Sequence, residues 1–188
     1  MRRLRWILLA VIALAVVVVV AALVLVRPGL DDSRDRVDAR WTPLRPVLIA
    51  RYEALGGVAA ALVASPVGGD RAVTKDLEAE LERWNRYALR GPRHTDAGQE
   101  AAAANELEAL ARRVRANIQA SDRLKNDAAL LEALAAFDQA VVTPEPVEAY
   151  NRAVQSYEDE RSGFFDSLVA DVLGYDSRPV LVLGQSPS

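Results

Sequence analysis

The one histidine of the chain, His94, stands in Arg90-Gly91-Pro92-Arg93-His94-Thr95-Asp96, a polar stretch broken by Gly and Pro that reads as a loop. There is no cysteine and no second imidazole in the 188 residues, so His94 has no soft or imidazole partner with which to share a metal, and it reads as a solvated loop residue. A di-iron helical site needs a Glu-x-x-His pair on each of two helices; one histidine with no Glu three before it excludes that. Glu78 and Glu82 lie one helical turn apart and are the best candidates for a carboxylate pair. Glu80 and Arg83 beside them make a hydrated outer face the better account. Ser162 precedes Gly163, but nothing matches the Gly-x-Ser-x-Gly turn that exposes a nucleophile. Gly56-Gly57 and Gly68-Gly69 lack the strand, the lysine and the spacing of a phosphate loop. Arg112, Arg113 and Arg115 form the densest basic cluster, expected on an exposed face salted by Glu106 and Glu108 rather than at an anion site. No catalytic, cofactor-binding or metal-ligating residue is assigned, no cofactor is implied, and the chain is not expected to be an enzyme.

The elements that would carry any function begin with a membrane segment. Trp6 to Val26 is a run of 21 apolar residues without charge, Gly or Pro, which as a helix is about 31 Å long, against a hydrocarbon core of roughly 30 Å. The apolar part of a cleaved signal peptide is shorter, and the lone Ala-x-Ala here, Ala13 and Ala15, sits in mid-run. The reading is an uncleaved signal anchor over residues 6–26, behind a basic flank at 1–5 and ahead of a linker at 27–36. Arg2, Arg3 and Arg5 lie tight against its start, while Arg27, Arg34, Arg36 and Arg40 beyond it are interleaved with Asp31, Asp32, Asp35 and Asp38. The positive-inside rule then puts the N-terminus in the cytoplasm and the rest outside the cytoplasmic membrane. Those first three arginines come out of 23 basic residues, leaving 20 against 26 acidic ones in the remainder, a balance that disfavours nucleic acid as a partner.

The remainder is expected to be all-α. Val37, Trp41, Leu44, Leu48, Tyr52, Leu55, Ala59 and Leu62 recur at three- and four-residue steps, one helical stripe. Pro43 and Pro46 interrupt it, and Thr42 before Pro43 is expected to cap a restart or kink. Pro66, Gly68 and Gly69 end it. A second stripe, Val73, Leu77, Leu81, Trp84 and Ala88, has Thr74 as its candidate cap and stops at Gly91 and Pro92. A third runs Ala103, Leu107, Leu110, Val114, Ile118, Ser121 and Leu124, with a shorter continuation capped by Asn126 or Asp127 through Leu130, Leu131, Leu134, Phe137 and Val141. Thr143-Pro144 opens the last long helix, with Val147, Tyr150, Val154, Tyr157, Arg161, Phe164, Leu168 and Val172 on its stripe and Gly174 as C-cap. Glu82 with Arg86, Glu108 with Arg112 and Glu148 with Arg152 stand at i,i+4 and are expected on outer faces. The architecture expected is an antiparallel, coiled-coil-like bundle of about four long helices over residues 37–175, followed by a tail at 176–188 in which Val180 to Leu183 forms an extended segment lying on the helices.

Several blocks of the chain carry a family resemblance. Arg40-Trp41-Thr42-Pro43-Leu44, Leu48, Arg51-Tyr52-Glu53 and Leu55 come first, then Leu124-Lys125-Asn126. The last helix adds Tyr150-Asn151, Ala153-Val154, Tyr157, Phe164, Leu168 and Ala170, followed by Gly174-Tyr175, Arg178 and Pro179. In this order behind an anchor, the chain resembles the LemA proteins, with Gly56-Gly57 where the family has Pro-Asn and Phe164-Phe165 where it has Phe-Pro. The resemblance implies a membrane-tethered helical bundle with no established enzymatic activity. Two Lys against 21 Arg, with heavy Ala and Val, point to a high-GC bacterial genome. Two functions are consistent with these readings. One is an interaction or scaffold module at the outer face of the cytoplasmic membrane, held in the lipid bilayer through 6–26 and binding membrane or envelope proteins. The other is a binding domain for an envelope ligand, a cell-wall fragment or lipid head group. An exposed apolar patch would favour the first, and a concave pocket with convergent polar groups the second.

Overall fold

A computed structural model describes residues 27–65, 71–88, 90, 96–163, 167, 170 and 172–184. The expected anchor at 6–26 and its basic flank therefore lie outside the described residues, as do Pro66, Gly68, Gly69, His94, Phe164 and Leu168. The described chain is helical, with no strand. Residues 27–41 form α1, and α2 (Leu44–Ala64), α3 (Arg71–Ala88), α4 (Ala97–Ala120), α5 (Ala128–Gln139) and α6 (Pro144–Arg161) follow, with a single 3-10 turn at Leu124–Asn126 between α4 and α5.

Residues 27–36, expected as a linker, are part of α1. They are helical through Pro28 and Gly29, and Leu30 and Ser33 are buried. The aspartates and arginines that suggested a solvated spacer occupy the other faces of α1, leaving 30, 33, 37 and 41 to the core, a spacing that continues the predicted stripe backwards. The restart at Pro43 is as expected, but its cap is not: the Thr42 hydroxyl donates back to the Asp38 carbonyl at 3.0 Å and closes α1, and α2 begins without a side-chain cap. Thr74 likewise lies inside α3, which starts at Arg71. Asp127 does cap α5, accepting from the Leu130 amide at 3.2 Å, and Asp96 caps α4 by accepting from the amides of Gly98 and Gln99.

All eight residues of the first stripe are buried, and α2 packs against α3, α4 and α5 while α3 lies along α4. The aromatic rings join the layers: Tyr52 meets Trp84 of α3 edge-on at 4.8 Å, and Trp41 meets Tyr150 of α6 at 5.0 Å. Ala101, Ala103 and Ala104 are buried, so the alanine run of α4 serves close packing as well as helix propensity. The last helix is shorter than its periodicity suggests. It ends at Arg161 with Ser162 as C-cap; past that break residues 167, 170, 172 and 173 are again helical, and Val172, expected on the buried stripe, is 71% exposed. Gly174 has φ +73°, the left-handed conformation that a glycine C-cap supplies. Beyond it residues 175–184 run without regular structure, with Leu181 2% exposed, so the apolar Val180 to Leu183 does lie on the helices.

α2 is also the one described helix long and apolar enough to cross a membrane by length and composition. Its place among α3, α4 and α5, with eight buried residues that include Arg51, puts it in the core of the helical body.

The register of α6 is directly testable. Val154 is buried and Arg152 is exposed, with Glu148 3.8 Å away. Val154→Asp should lower stability by several kcal/mol by placing an unpaired charge in the core, and Arg152→Asp by well under ~1 kcal/mol. Thermal unfolding of the two variants side by side gives the comparison, and equal losses would contradict this packing.

Candidate functional site

Arg51 follows Leu48 by three positions and precedes Leu55 by four, so the stripe of α2 carries its guanidinium into the core, where it is 5% exposed. Glu108 of α4, 1% exposed, meets it there. Arg51 Nε donates to Glu108 Oε1 at 2.6 Å and Nη2 to Oε2 at 3.1 Å, a two-pronged ion pair. Nη1 donates to the Ala140 carbonyl at 2.9 Å, at the C-terminus of α5, where the helix dipole is negative. The guanidinium also lies 4.1 Å from the centre of the Phe137 ring. Glu108 Oε2 accepts in addition from the Gly184 amide at 3.0 Å. Four segments of the chain thus meet at one point: α2 and α4 supply the pair, and the end of α5 and Gly184 supply its further partners. Above it opens a cleft of about 490 Å³ lined by Arg51, Val141, Val142, Pro144, Val147 and Leu183 among others. Its walls are mostly apolar, with Glu148 among them, and the guanidinium at its floor is already bonded to the protein.

A second buried carboxylate holds the other end of α4. Glu100 Oε2 accepts from Trp41 Nε1 at 2.7 Å and from Arg45 Nε at 3.0 Å. Arg45 Nη2 continues to the carbonyls of Tyr87 and Arg90 at 2.8 and 2.7 Å, closing the end of α3. Burial raises the Glu100 pKa above its ordinary value, against the opposing pull of the Trp41 and Arg45 contacts. Burial also pushes the Tyr52 phenol up; its hydroxyl donates to the Ala104 carbonyl at 3.2 Å.

The candidates from the sequence are dispersed. Glu78 and Glu82 do share a face, on the wall of a groove of about 590 Å³ between α2 and α3, where Glu53, Ile49, Ala60 and Leu81 join them. Glu82 accepts from Arg86 at 3.1 Å and Glu80 from Arg83 at the same distance. Gly56 and Gly57 are interior positions of α2. The Ser162 hydroxyl donates to the Asp159 carbonyl at 2.9 Å. The expected outer pair of Glu108 with Arg112 is corrected, since Glu108 is buried with Arg51. Arg112 and Arg113 are exposed, as expected, while Arg115 is half-buried and bonded to Asp138 of α5. Among the described residues no group of His, Asp and Glu is placed to hold a metal.

Sequence places Arg51 only in a family block and Glu108 only on an outer face, and it does not mark Glu100 or Arg45 as buried. The available signal was a charged residue on a buried stripe: Arg51 shares the stripe of Leu48 and Leu55, while Glu100, Ala104, Glu108 and Ala111 step by four, four and three along one face of α4. No family model matches the chain, and neither a curated protein nor a solved structure does.

Removing one partner of the Arg51 pair should be far more costly than removing both. Glu108→Ala should destabilise by about 3–5 kcal/mol, because it strands a buried guanidinium, and Arg51→Met combined with Glu108→Leu should recover most of that loss. Denaturant unfolding followed by the fluorescence of buried Trp41 and Trp84 measures both; an additive double variant would show the pair to be uncoupled. Glu100 predicts a pH dependence of defined sign. A carboxyl group with a raised folded pKa binds its proton more tightly folded than unfolded, so its contribution improves as pH falls through the folded pKa and is complete below the ordinary 4.5. Wild type should therefore gain Tm relative to Glu100→Gln between neutral pH and that value, and a flat difference would contradict the assignment.

Proposed function

We propose that the chain is a membrane-anchored, non-enzymatic helical bundle that binds other membrane or envelope proteins at the outer face of the cytoplasmic membrane. The observation that carries this reading is the uncovered face of α2. A helix that is apolar all round belongs in a core or against another apolar surface. The inward face of α2 is buried, but its outward face carries Pro46, Ala50, Gly57 and Ala60 around one charge, Glu53, with Val47, Ile49 and Val63 also exposed, the last at 61%. Such a face, short of large side chains, suits the close approach of another helix in its groove. Glu53, Glu78 and Glu82 border the groove beside it and favour a basic partner segment.

The anchor at 6–26 gives this contact its strength. Confinement to a membrane plane raises effective concentration, so a weak helix-in-groove contact suffices to hold a complex. The three arginines before the anchor support a cytoplasmic N-terminus, and the resemblance to the LemA proteins supports a tethered bundle without catalysis. The second reading, an envelope ligand such as a cell-wall fragment or lipid head group, has the cleft over Arg51 in its favour. It ranks lower because a polar ligand needs free polar groups, and the donors of Arg51 are directed to Glu108 and to the end of α5.

Ala60→Arg together with Val63→Asp should leave the thermal transition within about 0.5 kcal/mol of wild type, as exposed substitutions do, while abolishing crosslinks from the α2 face to neighbouring proteins in cells. Replacing 6–26 by an unrelated spanning helix should preserve those crosslinks. Protease added to spheroplasts should digest the domain; protection until lysis would reverse the orientation, and crosslinks unchanged by the double variant would remove α2 as the contact face.

A further inference from the structure

Residues 175–184 lie in a trough between α4 and α6, and the helices hold them chiefly by their backbone. Asn105 of α4 donates from Nδ2 to the Val180 carbonyl at 2.8 Å and accepts at Oδ1 from the Val182 amide at 2.8 Å. Asn151 of α6 does the same for a single residue between them, donating to the Leu181 carbonyl at 3.0 Å and accepting from the Leu181 amide at 2.7 Å. Further along α6 the Tyr150 hydroxyl donates to the Pro179 carbonyl at 3.0 Å, Tyr157 to the Asp176 carbonyl at 2.9 Å, and Glu158 Oε1 accepts from the Arg178 amide at 2.7 Å. Paired amide side chains that satisfy both the N–H and the C=O of an extended strand treat it as a neighbouring strand would, without reading its side chains.

Sequence is read at two positions. Leu181 enters the core. Arg178 is buried against Asp38 of α1, with Nη1 2.5 Å from Oδ1, and its guanidinium lies 5.8 Å from the Tyr157 ring centre. Its aliphatic stem runs so close to α4 that a Cβ on Gly98 would stand 3.2 Å from Arg178 Cγ, so the glycine makes the room. Val180 and Val182 between and beyond these anchors are exposed. A backbone clamp with two specific pockets is the construction of a peptide receptor, and here its occupant is the chain's own tail. We propose that the trough between α4 and α6 is a binding site for an extended peptide carrying an arginine and, three residues on, a leucine, and that residues 178–184 hold it in cis.

An intramolecular occupant acts at an effective concentration in the millimolar range, so a peptide in trans competes poorly until the tail leaves. The test uses the full chain in detergent micelles and a fluorescein-labelled synthetic peptide with the sequence of residues 176–184, read by fluorescence anisotropy. Leu181→Asp and, separately, Arg178→Glu should evict the tail and tighten peptide binding at least tenfold relative to wild type. Adding Asn105→Ala and Asn151→Ala to either variant should abolish that gain, and a peptide with Asp at the leucine position should not bind. Two results would overturn the proposal. One is a tail variant with native circular dichroism that binds the peptide no better than wild type. The other is loss of helical signal in both tail variants with no recovery on adding peptide, which would make residues 178–184 part of the core and not a ligand.

Discussion

A guanidinium and a carboxylate buried together impose more on this chain than any apolar contact does. Apolar side chains tolerate small shifts, because one methyl can replace another against a neighbour. Arg51 and Glu108 cannot shift in that way, since a misplaced charge in the core loses its partner while keeping its desolvation cost. The pair therefore sets α2 against α4 at one register. It also recruits the last carbonyls of α5 and the Gly184 amide, so segments far apart in sequence converge on a point of defined polarity. The Trp41, Arg45 and Glu100 contacts do the same for the junction of α1, α2 and the end of α3.

What was legible in the sequence was periodicity, and what was not was the fate of charge. Every residue of the stripe from Val37 to Leu62 is buried, because eight apolar positions at helical spacing admit one arrangement. Pro144 opens α6 and Gly174 takes the left-handed turn because their backbone preferences are local, but the break at Ser162 has no such signal. Glu108 was misplaced for an equally physical reason: with Arg112 four residues on, it has the spacing of a surface pair, and only the third dimension reveals Arg51 as the closer partner. The helix over 27–36 is hard to read because alternating Asp and Arg suggest solvent, although Leu30 and Ser33, in step with Val37, are turned inward. Asn105 looks in sequence like any solvent-exposed asparagine, and Asn151 enters only as part of a family block, since their role depends on an extended segment that arrives 75 and 30 positions later.

The two surfaces of α2 show how one helix can be both core and contact. Its inner face carries the large side chains and the arginine; its outer face is reduced to alanine, glycine and proline with scattered valine. Small outward residues cost little when exposed to water, because they present little apolar area, and they let another backbone come close. The same composition that makes α2 long and apolar enough to span a bilayer is in this fold divided between a packed side and an accessible one.

The closing contacts of the domain join its first helix to its last residues. Tyr175 bonds to Asp31 and Arg178 to Asp38, across 144 and 140 positions of chain. Synthesis runs from the N-terminus at about 5–20 residues per second, so on the order of 10 s separates the appearance of Asp38 from that of the arginine that neutralises it. The intervening helices pack through nearer neighbours and do not wait for it. Asn105 and Asn151, made 75 and 30 positions before the residues they hold, stand unfilled for the later part of that interval. The latch is thus ordered in time as well as in space: the newborn protein passes through an unlatched form on every round of translation, and whatever meets it first, its own C-terminus or another strand, meets an empty seat.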